Sequence, residues 1–152
     1  MSMNTSQTKP IATGIDICVR SDSLILENVS RLLGVTPTSG FEKGEPYVGR
    51  QKRGSDIETV DRVRPFGVWH FCTAQSLDSK HVEDHAKFLI DTFASARDAV
   101  QQLIADPKSY VRITVWAVGY TFDLTAASLA GLSSLAQDFT ITCWDDEEDG
   151  GD

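Results

Sequence analysis

Residues 11–20 alternate: Ile11, Thr13, Ile15, Ile17 and Val19 fall on one side, and Ala12, Gly14, Asp16, Cys18 and Arg20 on the other. A period of two with one apolar side predicts a half-buried strand. The period then changes. Asp22 or Ser23 offers a short side-chain oxygen to cap a helix, and Ile25, Val29 and Leu32 recur at helical spacing, with Leu26 and Leu33 widening the stripe. Gly34 stands where a left-handed residue ends a helix, and Pro37 prevents continuation. Residues 35–66 are the least regular stretch, punctuated by Gly40, Gly44, Pro46, Gly49 and Gly54. Ile57, Thr59 and Val63 suggest a strand, and Arg64-Pro65-Phe66-Gly67 fits a type I turn, so a hairpin is expected over about 57–73. In its second strand, Phe66 to Thr73, Trp69 and Phe71 point one way and Val68, His70 and Cys72 the other.

Val82, Ala86, Leu89, Phe93, Ala96, Val100 and Leu103 then form an unbroken 4-3 seam, predicting one long helix capped by Asp78 or Ser79 and ended by Pro107. The seam could zip as a coiled coil; three short heptads with two alanines favour its lying across a sheet. Tyr110 to Val118 alternates again, with Val111, Ile113, Val115 and Ala117 opposite Arg112, Thr114, Trp116 and Val118. Thr125 caps a last helix, stapled by Leu124 and Leu129, whose inner stripe is Leu129, Leu132 and Leu135 or Ala136. Phe139 to Trp144 closes as a strand, with Phe139, Ile141 and Cys143 opposite Thr140, Thr142 and Trp144. The expectation is an α+β domain over residues 10–144. About four largely antiparallel strands carry three helices on one face, in a ferredoxin-like arrangement with an extra long helix.

The Ile15-Asp16-Ile17 strand, the helix ending Leu32-Leu-Gly-Val-Thr-Pro-Thr38 and Phe41-Glu-Lys-Gly44 resemble the bacterial family catalogued as domain of unknown function 4279. Gly67-Val68-Trp69, the helix through Leu89 and the strand–helix–strand close extend the resemblance over about 11–144. The closing Cys143-Trp144 departs from it, since that family tends to have a tyrosine there. The resemblance implies a small α+β domain with no established reaction. Some relatives are suspected of immunity-type or other protein-binding roles, and no catalytic residue transfers.

Charge changes the picture mainly at the end. The net charge of −8 is concentrated in residues 145–152, DDEEDGGD; without them 14 basic residues face 16 acidic ones. This run and residues 1–9 are expected to be disordered, flanking the domain. An acidic chain without a basic stripe argues against nucleic acid. No apolar leader or membrane-length run occurs, so a cytoplasmic protein with no membrane partner is the default expectation. Cys18, Cys72 and Cys143 are odd in number and lack a CxxC, as in reduced, mostly buried thiols.

The sheet side opposite the helices is the candidate site. Arg20, Arg112, Thr114, Trp116, Thr142 and Trp144 belong to it, with Asp16 and Thr140. Trp and Arg are enriched at interface hot spots, so this side reads as a surface for another protein or for a second copy in a homodimer. The alternative is that segment 42–64 or the N-terminal arm covers it and buries both indoles. A small-ligand or catalytic pocket between segment 35–66 and the sheet, using His70, Asp16 or arginines of that segment, is the other functional reading; separately, Asp16, His70 and Glu45 can be assembled into an acid–base set. His81 and His85 lie four apart on a helix but lack the zincin spacing and an evident third ligand. No cofactor motif and no metal set is expected.

Overall fold

The computed structural model describes residues 12–144; the N-terminal arm and the acidic run expected to be disordered lie outside the described residues. The chain forms β1 (Gly14–Ser21), α1 (Leu26–Leu33), β2 (Ser39–Phe41), β3 (Pro46–Arg53), β4 (Asp56–Val63), β5 (Gly67–Cys72), α2 (Val82–Thr92), α3 (Arg97–Ala105), β6 (Ser109–Val118), α4 (Ala126–Ser133) and β7 (Asp138–Trp144). Five strands make one sheet in the order β2-β5-β1-β6-β7, and β3 and β4 make a separate two-stranded hairpin. Every ladder in the large sheet is antiparallel except β6–β7, which α4 bridges in a parallel crossover.

The α+β class and the one-sided helix layer hold. The sheet has five strands rather than four, and four helices rather than three. Strands β2-β5-β1-β6 keep the split β-α-β pairing expected of a ferredoxin-like arrangement, β1 and β2 running parallel with β5 between them and β5 and β6 parallel with β1 between them; β7 is added beyond β6. The expected hairpin over 57–73 is replaced. Strand β4 pairs backwards with β3, Arg53 opposite Asp56, across a two-residue Gly54-Ser55 loop in which Gly54 has φ 65°. Glycine first in such a loop is the type II′ requirement, and a tight hairpin closes locally at less entropic cost than a longer connection. No residue of β3 or β4 is buried, so the hairpin stands off as an arm. Arg64 secures its base, lying 4.0 Å over the Phe41 ring and 3.9 Å over the Tyr47 ring.

Ile15, Ile17 and Val19 of β1, Trp69 and Phe71 of β5, and Val111, Ile113, Val115 and Ala117 of β6 form the buried sheet face, as the alternation predicts. Helices α2 and α3 lie over it. The long seam breaks at Phe93, where a 3-10 turn over Ala94–Ala96 separates the two helices. Thr92 Oγ1 donates to the Phe88 carbonyl at 2.7 Å, a back-bond that bends helices. The break lets fully buried Phe93 meet Trp69 and Phe71 edge-on, at 6.2 and 5.6 Å.

Helix α1 takes no cap from Asp22 or Ser23. Its Leu26 N–H donates instead to Glu42 Oε2 at 2.8 Å, from the loop after β2, and Gly34 closes it with φ 67°. Val29 and Leu33 face inward, while Ile25 and Leu32 are exposed. Helix α2 likewise lacks a side-chain cap from Asp78 or Ser79. Thr125 caps α4 as expected, accepting from Ser128 N–H. Glu83 of α2 adds a tie by accepting from the Thr125 N–H and both hydroxyls. These bonds hold the Glu83 carboxyl below its ordinary range. Helix α4 settles against α2, where a side chain at Gly131 would collide with Ile90, and Leu129 remains half exposed. The inner side of β7 is therefore not roofed: Phe139 is 38% and Ile141 59% exposed. No described helix is long and apolar enough to cross a membrane.

His85 is fully buried, and both ring nitrogens are engaged. Nε2 donates to the Ser79 carbonyl at 2.8 Å, which leaves Nδ1 to accept from Thr73 Oγ1 at 2.7 Å; that oxygen accepts from Ile15 N–H. Thr73→Val strands both the ring nitrogen and the strand amide. The expected loss is roughly 2–5 kcal/mol in denaturant unfolding, one desolvation penalty for each orphaned group. Glu83→Ala is expected to lower Tm at neutral pH. Because the folded carboxyl titrates low, its contribution is present above the ordinary carboxylate range and fades as pH falls through the folded value, so the Tm gap closes in acid.

Candidate functional site: the open sheet face

The register places the outward side chains in rows. Across the sheet run Ser39, His70, Cys18 and Arg112, ending level with Asp138; the next row holds Cys72, Asp16, Thr114 and Thr140. All six residues anticipated for this face lie on it: Arg20 on β1, Arg112, Thr114 and Trp116 on β6, and Thr142 and Trp144 on β7. They form two clusters rather than one. At one end Trp116 and Trp144 stack with ring centroids 6.4 Å apart and planes inclined by 21°. At the other, Arg20 and Arg112 flank Tyr110 at 5.2 and 5.3 Å, and Arg20 also lies 5.0 Å over Phe66. The Tyr110 hydroxyl donates to Asp138 and accepts from Arg112. Six residues along β6 separate the clusters, about 20 Å, with the threonines between. Arg20, Arg112 and Thr140 are exposed and Trp144 is 41% exposed, while Asp16, Cys18, Thr114 and Trp116 are half-buried.

Asp16 sits near the centre. Its Oδ2 accepts from Trp116 Nε1 at 2.8 Å and from His70 Nε2 at 3.1 Å. With Nε2 donating to a carboxylate, Nδ1 of the neutral ring accepts from Ser39 Oγ at 3.1 Å. Burial raises the Asp16 pKa, but bonds from His70, Cys72 and Trp116 outweigh it and hold the group below its ordinary 3.8. Asp16 Oδ1 is buried without a partner among the described residues. Burial, with Asp16 as acceptor and neighbouring charge, pushes the Cys72 thiol up to about 11. Burial also raises Cys18, against the opposing pull of Arg20 and Arg112. Neither thiol is a nucleophile near neutral pH. Cys143 departs from the expectation of mostly buried thiols; it is exposed on the unroofed side of β7.

The Asp16–His70 pairing conceived from sequence is made, but Glu45 takes no part; its backbone bonds Glu42 and Arg64 in the turn leading to the hairpin. Ser39 was missed. Its signal was the Thr36-Pro37-Thr38 run: Thr38 donates its N–H to the His70 carbonyl and accepts from the Cys72 N–H through Oγ1, which brings the next residue beside the His70 ring. His81 and His85 do not share a helix: His81 is the extended residue that precedes α2, and His85, on α2, is occupied internally. Among the described residues no group of three His, Cys, Asp or Glu side chains is placed to hold a metal ion.

Two outcomes follow from this geometry. Asp16→Asn is expected to cost about 1–3 kcal/mol above pH 5, by weakening charge-assisted bonds. The loss shrinks as pH falls below 3.8, because a depressed carboxyl contributes stability only while ionised. In a thiol-titration time course at neutral pH, Cys143 reacts first and Cys72 lags by orders of magnitude, its thiolate fraction being about one in ten thousand.

No curated protein and no solved structure matches the chain. A family model described as a domain of unknown function (DUF4279) matches residues 12–146, spanning every element from β1 to β7. That match covers most of the chain, and the chain belongs to the DUF4279 family.

Proposed function

We propose that this chain is a non-enzymatic, cytoplasmic protein-interaction module that binds through the open sheet face. The observation that carries the reading is the pairing of two clusters on the outward side of the sheet: stacked Trp116 and Trp144 at one end, Tyr110 between Arg20 and Arg112 at the other. Rigid aromatic side chains lose little entropy on contact, and Arg presents a fixed donor fork, which is why both dominate interface hot spots. Trp116 is pre-positioned by its bond to Asp16, while Trp144 is open to solvent. A complementary surface would be apolar opposite the indoles and acidic opposite the guanidinium groups. Four strands at about 4.8 Å and seven residues at about 3.3 Å give a face of roughly 450 Å². A standard interface takes about 800 Å² per partner, so the surrounding loops would join the contact.

The test is recovery of binding proteins from native lysate with wild type and with a Trp116→Ala, Trp144→Ala pair, each first shown to be folded. A stoichiometric protein is expected with wild type and not with the variant. Equal recovery by both would refute this face as the docking surface.

A second reading rests on the Ser39–His70–Asp16 chain, whose hydrogen bonds suit passing a proton from a hydroxyl to an imidazole backed by a carboxylate. In that case a fluorophosphonate probe labels Ser39 in wild type, and His70→Ala abolishes the labelling. An unlabelled wild type removes this reading without touching the first.

A further inference from the structure

The two edges of the sheet are unlike. Strand β2 is only three residues long, whereas β7 runs for seven and pairs continuously with β6. Native edges are usually blunted by Lys, Pro, a bulge or a cover. Among the described residues strand β7, DFTITCW, has none of these, and its single charge, Asp138, stands at its start and is engaged by Tyr110. Its inner side is apolar and lacks a roof, with Phe139 38% and Ile141 59% exposed.

We propose that β7 pairs antiparallel with β7 of a second copy about a twofold axis at Ile141, joining two sheets into one of ten strands. This surface is separate from the open face and does not rest on the reading given above. The strand is its own complement. Because side chains alternate, only registers that keep inner sides together are allowed, and full overlap of residues 138–144 selects the one centred on Ile141. In that register Ile141 meets Ile141, Phe139 meets Cys143, and on the open side Thr140 meets Thr142. None of these pairs opposes like charges.

Charge selects a second copy over an unrelated strand. Beyond Trp144 the sequence continues as DDEEDGGD, six acids without a base. Within one copy Trp144, which this run follows, lies about 20 Å, the length of β7, from the cluster at the strand's start. In the pair, Trp144 of one copy comes level with Asp138 of the other. Asp138 accepts from Tyr110, Arg112 stands beside that ring, and the adjoining cleft sets Arg20 and Lys108 against the single acid Asp22. The acidic sequence that follows each Trp144 thus starts beside the other copy's Arg20, Lys108 and Arg112, twice by symmetry.

Sedimentation velocity of the full chain tests this at low salt and at about 1 M salt, where the screening length falls to about 3 Å. Wild type is expected at twice the 16.7 kDa chain mass. Ile141→Lys, at an exposed position, is expected to be monomeric with unchanged circular dichroism. Neutralising the run (Asp145→Asn, Asp146→Asn, Glu147→Gln, Glu148→Gln) is expected to weaken the dimer about tenfold, or 1.4 kcal/mol, at low salt and hardly at all at high salt. Phe139→Cys reads the register without relying on the lysine variant: mild oxidation should link the introduced thiol to Cys143 of the second copy, and adding Cys143→Ser should abolish the link. A monomeric wild type at low salt, a dimer that survives folded Ile141→Lys, a dimer indifferent to neutralisation, or absence of the link in a dimeric Phe139→Cys sample would each overturn the proposal.

Discussion

Everything in this fold depends on β1 being hydrogen-bonded on both edges while its two sides face different media. Ile15, Ile17 and Val19 must leave water, and burying each is worth about 1.5–3 kcal/mol; that requirement draws α2 and α3 over one side of the sheet. The same pleat then forces Asp16, Cys18 and Arg20 onto the other side, in the middle of the sheet rather than at its margin. An ionised carboxylate held there needs donors, and β5 and β6 supply them as His70 and Trp116. The polar centre of the open face is thus a by-product of making the apolar core.

The sides of the strands were legible in the sequence because period-two alternation is a local property. Ile11 lies outside the described residues; among those described, each inward residue assigned to β1, β5 and β6 is inward in the structure, and all six residues anticipated for the open face lie on it. Strand β7 shows where that logic stops. Its Phe139, Ile141 and Cys143 take the inner side as the alternation requires, yet no helix covers them, because α4 is drawn to α2 by Gly131 and Glu83. Alternation tells which way a side chain points; whether something lies above it is a tertiary matter.

Pairing and capping were less legible for the same reason. Residues 57–63 read as a strand, but nothing local distinguishes a backward from a forward partner except the turn, and Gly54-Ser55 offers a tighter closure than the Pro65 turn. The cap of α1 comes from Glu42, sixteen residues away from Leu26, where Asp22 and Ser23 were the nearer candidates. Ser39 met His70 only once β2 was known to lie on β5. The Thr36-Pro37-Thr38 run looked like a helix stop and is also the clasp that sets that edge.

The arm formed by β3 and β4 has a consequence for how this family can vary and be used. Because none of its residues is buried and its closure is a two-residue loop, its length is uncoupled from the packing of the domain. Rungs could be added or removed in pairs without disturbing β1, and a reporter peptide or a second protein could be spliced at Gly54-Ser55. The arm is where the chain can acquire novelty at little cost to its foundation.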